Sequence, residues 1–408
     1  MVVAAVLVAT GCEPDGEPSG DASAGPAGSL PAPPSPTVAG VSTPPPPVPS
    51  TSLDSTGVPT AEPTPAPGDA APLSPPAPSS SAATNCHITE ILAIDCGVWW
   101  GISPWLDRDR RLYEIEEAAG RRMDTVHTWH GIDQPNVPNE RERALMARGR
   151  FIHANIEARR FTREGHPPVR YRTITAGAFD SSLNSQARAI AASDQPIFIT
   201  FDHEADADKR YYTRGTPEEF VAAWRHIVDV YRRNDADNAI FVWNVTGYRG
   251  NFDRLPRLWP GNDYVDWLSW EAYNMTGCEY HPTWDEVHSF ERAMAPMYEW
   301  VQTEGPNHGI DPDKPVMIAE MGTVPIPRDP QAARRWYTEI PEVLREYERV
   351  RAVQLWDGKT APTCDFRVLE HPYIRDGYVE AGRAPSIVVP DGVREVIADT
   401  LEVAGAAG

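Results

Sequence analysis

From residue 86 onward, short and nearly continuous apolar runs alternate with longer stretches whose apolar residues recur at helical spacing. The short runs are residues 94–100, 123–128, 151–156, 196–201, 239–243, 264–270, 315–319 and 352–356. They are apolar throughout rather than alternating, as strands covered on both faces are. Residues 107–121, 139–149, 183–192, 216–233, 283–304 and 329–349 read as amphipathic helices between them, with 391–403 as a closing helix. Thr216-Pro217-Glu218-Glu219 sets a helix start: an N-cap, a proline and acidic first-turn residues. The connection from 244 to 264 is short for a full helix. Eight strands separated by helices predict an α/β fold, a (β/α)8 barrel. The Gly-rich fingerprint of a dinucleotide-binding open sheet follows none of the strands.

Barrels of this kind place their chemistry at the C-terminal strand ends. Two glutamates stand there. Strand 4 runs through Phe201 into Asp202-His203-Glu204, and strand 7 runs through Ala319 into Glu320-Met321-Gly322. Strands 4 and 7 lie across an eight-membered ring from each other, so their side chains converge on the mouth. Two carboxyls about 5 Å apart suit retaining glycoside hydrolysis: one protonates the leaving oxygen and the other attacks the anomeric carbon. The acid must be neutral at working pH, and the nucleophile should accept hydrogen bonds that keep it ionised. The bland reading of either glutamate alone is a salt-bridged strand end. Trp356 ends strand 8 and offers a flat apolar ring to a pyranose. Trp99, Trp100, Trp129, Trp243 and Trp270 also lie near strand ends, as sugar platforms or as core.

In order and spacing, these motifs resemble glycoside hydrolase family 26 of clan A. The resemblance rests on Asp202-His203-Glu204, on Lys314-Pro315-Val316-Met317-Ile318-Ala319-Glu320-Met321-Gly322 and on Trp356. Val242-Trp243-Asn244-Val245 and Asp263-Tyr264-Val265-Asp266-Trp267 add to it. It covers roughly residues 90–360. It implies Glu204 as general acid/base and Glu320 as nucleophile of a retaining endo-β-glycanase. The substrate is then a β-mannan, a β-1,3-xylan or a mixed-linkage β-glucan, without a cofactor. It gives Tyr273 a hydrogen bond to the nucleophile, has His203 bond the sugar or orient the nucleophile, counts Asn244 among the substrate-binding residues, and makes either His127 or His130 a sugar contact. Arg249 and Asp357 are further cleft candidates. Ala205-Asp206 after Glu204 departs from the mannanase pattern. Competing readings are a non-catalytic carbohydrate-binding barrel and a hydrolase of a bacterial surface or capsular polysaccharide.

Composition separates the ends of the chain. Residues 1–85 hold 20 of the 42 prolines and no Lys or Arg. Such a segment buries too little apolar surface to offset its ordering entropy and should be a disordered tether. Residues 1–12 are a short apolar run ending in Ala9-Thr10-Gly11-Cys12, which reads as a signal peptide with a lipobox-like end, Cys12 being the lipidated residue. The expectation is a bacterial cell-surface lipoprotein whose catalytic domain is residues 86–408, working as a monomer. Of the net charge of −21, seven acidic residues lie in 1–85, which leaves −14 on the rest (−21 + 7). That excess tells against nucleic acid and anionic membrane as partners and is compatible with a neutral glycan. Zinc-protease and EF-hand spacings are missing around His203-Glu204, so no catalytic metal is expected, a structural calcium staying open. Cys86, Cys96, Cys278 and Cys364 suggest two disulfides in an exported domain. Pairings 86–96 and 278–364 are favoured by proximity, although three connectivities are open.

Overall fold

A computed structural model describes residues 86–104, 108–193, 195–207, 213–279, 286–390 and 393. The expected lipidation of Cys12, the tether 13–85 and, apart from Val393, the closing helix 391–403 lie outside the described residues. Eight parallel strands close into a barrel in chain order. They are β1 (Trp99–Pro104), β2 (Thr125–Gly131), β3 (Phe151–Glu157), β4 (Ile197–Phe201), β5 (Ala239–Val245), β6 (Trp267–Asn274), β7 (Val316–Thr323) and β8 (Val350–Asp357). The ring is closed by β1 against β8, from Trp99 beside Ala352 to Pro104 beside Asp357.

The helical layer comprises α1 (Arg108–Ala119), α2 (Glu140–Met146), α3 (Tyr171–Thr175), α4 (Asp180–Ala191), α5 (Pro217–Arg232), α6 (Leu255–Leu258), α7 (Phe290–Thr303), α8 (Pro330–Thr338), α9 (Ile340–Glu346) and α10 (Pro372–Gly382). The start of α5 is as its sequence dictates. The Thr216 side chain accepts from the Glu219 amide, and the Glu219 carboxylate accepts from the Thr216 amide. Asn139 and Glu142 form the same box at α2. The stretch 329–349 is two helices rather than one. Pro341 stands in the first turn of α9, where a missing N–H costs nothing, whereas it would break a continuous helix. After β8, the described helix is α10, whose buried Ile374, Tyr378 and Ala381 recur at helical spacing.

Residues 94–98, expected to open β1, do other work. Ile94 bridges to Ile88, and the segment is closed by a disulfide between Cys86 and Cys96. Leu92 and Ile94 join Trp99, Phe151, Phe198, Ile240, Val242, Trp267 and Met317 in one apolar cluster. These belong mostly to the N-terminal halves of the strands, so the segment plugs the lower end of the barrel. The Trp99 and Trp267 indoles donate to the carbonyls of Leu92 and Ile91, each at 2.7 Å. Above this layer the barrel interior turns polar. His153 meets Gln354 at 2.9 Å and Thr200 at 2.8 Å, and the Gln354 amide donates to Thr125 at 2.9 Å. The barrel is therefore apolar at its base, neutral and polar in the middle, and ionisable at its mouth.

Candidate active site

Alternation along β7 puts Met317 and Ala319 in the barrel interior, with Val316 and Ile318 facing the helices. Strict alternation would send Glu320 outward. A bulge prevents this. Trp270 pairs with Ile318, whereas the next residue of β6, Glu271, pairs with Glu320. Ala319 is the extra residue, and the register on the β8 side shifts across the same stretch. Such a bulge re-aims a side chain. Glu320 turns inward, and Met321 packs with the helices. The Tyr273 hydroxyl, from β6, donates to Glu320 Oε2 at 2.6 Å.

Glu204 sits just beyond β4 in a turn where both Asp202 (φ 51°) and Glu204 (φ 53°) are left-handed. Non-glycine residues adopt that region at a cost and persist there when the surroundings over-determine them. Here Asp202 is fully buried and accepts from the Ala158 amide at 3.1 Å and the Tyr171 hydroxyl at 2.6 Å. It also pairs with Arg214. On the other side, Asp206 accepts from the Thr246 amide at 2.9 Å and from Asn251 at 3.1 Å. Asn244 is seated by its amide, which donates to Ser269 at 3.1 Å, and it accepts from the Glu204 backbone N–H at 3.3 Å. Thus the turn carrying Glu204 is held from β3, β5 and the segment before α5.

His203 stands beside Glu204. Its backbone N–H donates to Asn155 Oδ1 at 3.4 Å, which leaves the Asn155 amide to donate to His203 Nδ1 at 2.8 Å. The ring proton therefore sits on Nε2, and Nε2 faces Glu204 Oε2 at 3.9 Å. Trp129, half-buried on β2, meets the His203 ring edge-on at 4.5 Å and stacks on His127 at 4.7 Å. At the end of β8, Trp356 packs against Phe366 at 5.7 Å, and Phe366 against Tyr273 at 5.1 Å. A Cβ at Gly358 would come within 2.5 Å of the Trp356 ring, so glycine lets the indole lie on the backbone. Phe366 follows a two-stranded hairpin, β9 (Lys359–Ala361) and β10 (Cys364–Asp365), and a disulfide between Cys364 and Cys278 ties this hairpin to the loop after β6.

Three carboxyls share the mouth: Glu204, Glu320 and, unexpectedly, Glu271 of β6, each under a tenth exposed. Burial pushes Glu320 up to about 8; the Tyr273 hydroxyl pulls it down, and neighbouring Glu204 adds to the rise. Hydrogen bonding was expected to keep the nucleophile ionised. The bond is present, but burial outweighs it. Burial likewise drives Glu271 well above the usual carboxylate range, with Glu204, Glu320 and Asp206 adding to it. A cluster of like charges so close holds at least one proton at neutral pH.

Several expected site residues lie elsewhere. His130 points away from the mouth and bonds Glu142 of α2 at 2.6 Å, so strand parity removes it from the sugar contacts. His127 faces inward but lies beneath Trp129, stacked on His153 at 4.2 Å; burial, then His153, holds it well below the usual imidazole range, and it is neutral. Trp100 is buried against Tyr378 of α10 at 5.1 Å. Trp243 is buried outside the barrel and donates to the Leu258 carbonyl at 3.1 Å. Both are core rather than platforms. Asp357 is buried and grips Arg111 through two bonds of 2.8 and 3.0 Å, which makes it a tie between β8 and α1. Arg249 is exposed on the loop after β5. The sequence reading missed Glu271 because it ended strand 6 at Trp270. Glu271 and Tyr273 are two apart, so both face the interior once β6 is extended.

Fold and site together define an eight-stranded barrel with carboxyls at the mouth ends of β4, β6 and β7, flanked by aromatic rings. Solved structures of that architecture include a GH26 β-mannanase from Bacteroides ovatus (TM-score 0.52, 16% identity, 72% of this chain and 90% of that one). The catalytic domain of a Bacillus sp. JAMB-750 GH26 endo-β-1,4-mannanase is also similar (TM-score 0.50, 15% identity, 67% and 80%). At these identities the likeness is one of fold. Among curated proteins, Endoglucanase H of Acetivibrio thermocellus is 27% identical over 306 residues, 70% of this chain and 30% of that protein. Beta-1,3-xylanase TXYA of a Vibrio species is 23% identical over 199 residues, 48% and 38%. The chain thus spans only 30% and 38% of the length of these relatives. No protein-family model matches it. The relatives and neighbours are glycoside hydrolases, and the barrel is GH26-like.

Proposed function

We propose that the protein is a retaining endo-β-glycanase acting on a neutral β-linked polysaccharide. One observation carries the reading: Glu204, just beyond β4, and Glu320 of β7 are buried electrostatic neighbours at the mouth, with Glu320 turned inward by a bulge and held by Tyr273. Relatives named for β-1,3-xylan and neighbours named for β-mannan support the substrate class.

In the first step the Glu320 carboxylate attacks the anomeric carbon while protonated Glu204 gives its proton to the departing oxygen. A glycosyl ester forms on Glu320 as the C–O bond to the leaving sugar breaks. In the second step ionised Glu204 takes a proton from water, the water oxygen attacks the same carbon, and Glu320 leaves as carboxylate. The sugar therefore keeps its anomeric configuration. The Tyr273 bond to Glu320 stabilises its charge before attack and after release. Trp356 at the end of β8 and half-buried Trp129 on β2 are the rings for the sugar to pack on.

The test is release of reducing sugar from β-mannan, β-1,3-xylan and mixed-linkage β-glucan. Glu320→Ala should lose at least about 10⁴-fold, and Glu204→Ala should lose less on an aryl glycoside whose leaving group needs no proton. Full activity in Glu320→Ala would remove it from the nucleophile role. Proton NMR of the first product reads retention directly.

We also propose that the protein is exported, tethered through lipidated Cys12 and monomeric. Its two disulfides, Cys86–Cys96 and Cys278–Cys364, support an oxidising compartment. Cys12→Ser should move the protein from the membrane fraction to the medium; retention of the variant would reject the anchor.

A further inference from the structure

We propose that Glu271 is a third working carboxyl of this site: a positioning residue that keeps its proton throughout the cycle and donates a hydrogen bond to Glu204. The inference rests on the retaining reading above and assigns to it a residue that neither the sequence motif nor the two-carboxylate scheme includes.

The geometry leaves little choice. The bulge that turns Glu320 inward sets it directly beside Glu271, its partner across the β6–β7 ladder. The Glu271 carboxyl comes within hydrogen-bonding reach of Glu204. Ionised carboxylates are acceptors only, so a bond between two carboxyls requires a proton on one of them. The groups facing Glu271 show which one. From β7 comes Glu320, from the turn after β4 come Glu204 and Asp206, and from its own strand comes the Tyr273 hydroxyl. The Tyr273 proton is already directed to Glu320. The remaining oxygen, Glu271 Oε1, is buried without a hydrogen-bond partner among the described residues. Glu204 by contrast has the Nε2–H of His203 3.9 Å away. Among the described residues, a charge on Glu271 would thus face three carboxyls with no cation or free donor to offset it, while a charge on Glu204 faces a donor. Burial and these neighbours act in the same direction on Glu271.

The consequence is mechanistic. When Glu204 has given its proton to the leaving oxygen, it is a carboxylate in a buried mouth. A neutral carboxyl already pointed at it supplies a hydrogen bond where charge develops, with no rearrangement. During the second step Glu204 recovers a proton from water, and Glu271 has neither gained nor lost one. Proton count and charge balance in both steps without Glu271 changing state.

The experiment compares Glu271→Gln, Glu271→Leu and Glu271→Ala in the full-length protein. A glutamine amide donates as a protonated carboxyl does and fits the same space. Glu271→Gln should lose no more than about tenfold in kcat/KM, whereas Glu271→Leu and Glu271→Ala should lose about 10²-fold or more, the cost of one donor to a developing charge. The alkaline limb of kcat/KM should move by less than about half a pH unit in Glu271→Gln, because no charge is removed. If Glu271→Gln is as damaged as Glu271→Ala, or its alkaline limb falls by a full unit or more, Glu271 is charged and the proposal fails. A readout independent of turnover separates this from failure of the hydrolase reading. At pH 7 the infrared carbonyl band of a protonated carboxylic acid should weaken in Glu271→Gln relative to wild type. If wild type cleaves no glycan but this loss is seen, the protonated Glu271 stands and the hydrolase reading falls. If no such loss is seen, the proposal is overturned whatever the activity.

Discussion

Glu320 illustrates at the level of one residue how a site trades stability for chemistry. Its carboxyl is raised from 4.5 to about 8 in the folded protein, chiefly by burial, so the folded state holds this proton more tightly than the unfolded chain does. A raised carboxyl contributes stability that is fully present below its unfolded value and is lost as pH climbs through the folded one. The loss therefore runs from about pH 4.5 to pH 8, and deprotonation for catalysis occurs against it. Glu320→Gln removes the titration but keeps the shape. Its melting temperature should exceed that of wild type by a margin that grows across this window, corresponding to a few kcal/mol at most at roughly 1.4 kcal/mol per pH unit. A margin independent of pH would show that Glu320 is not raised. The same two-residue logic made Glu271 hard to see in the sequence: a lone acid amid apolar residues has no motif, and its role exists only through Glu204 and Glu320.

Elements position these residues, and the hairpin β9–β10 is the clearest case. The Cys278–Cys364 bond fixes it to the loop after β6, and Phe366 just beyond it is wedged against both Trp356 and Tyr273. The wedge thus sets the ring that would carry the sugar and the hydroxyl that meets Glu320. Replacing Cys278 and Cys364 together by serine should lower kcat/KM roughly tenfold, since small misplacements of positioning groups are costly, with the secondary structure unchanged by circular dichroism. Unchanged kinetics in the folded variant would show that the hairpin holds its place without the staple. The turn at Glu204 is comparable: Asp202 anchors it through Ala158, Tyr171 and Arg214, and this anchoring keeps two left-handed residues in place.

On the scale of the whole barrel, stability and chemistry occupy opposite ends. The Cys86–Cys96 loop and the plug at the base seal an apolar layer, whereas all three carboxyls lie at the mouth. Replacing Cys86 and Cys96 by serine should destabilise the fold by about 2–3 kcal/mol through the freed loop. It should lower the melting temperature by several degrees and leave kcat/KM on a soluble β-glycan within about twofold. A comparable loss of kcat/KM at a temperature where the variant is folded would couple base to mouth.

The order of eight strands, the cap of α5, and the placement of Glu204 and Glu320 at strands 4 and 7 were legible in the chain, because hydrophobic period and capping chemistry are local. Trp243 shared the strand-end position of Trp356, and His130 that of His127; only the closed barrel separated them, by fixing which face of each strand looks inward, while Trp100, expected to end strand 1, stands at the start of β1. Alternation counted from the sequence would have turned Glu320 outward. The bulge at Ala319 reverses that, and it arises from the register between β6, β7 and β8, which no single strand encodes. Glu271 became part of the site for the same reason: residues 49 positions apart in sequence, 271 and 320, become neighbours only when two strands pair.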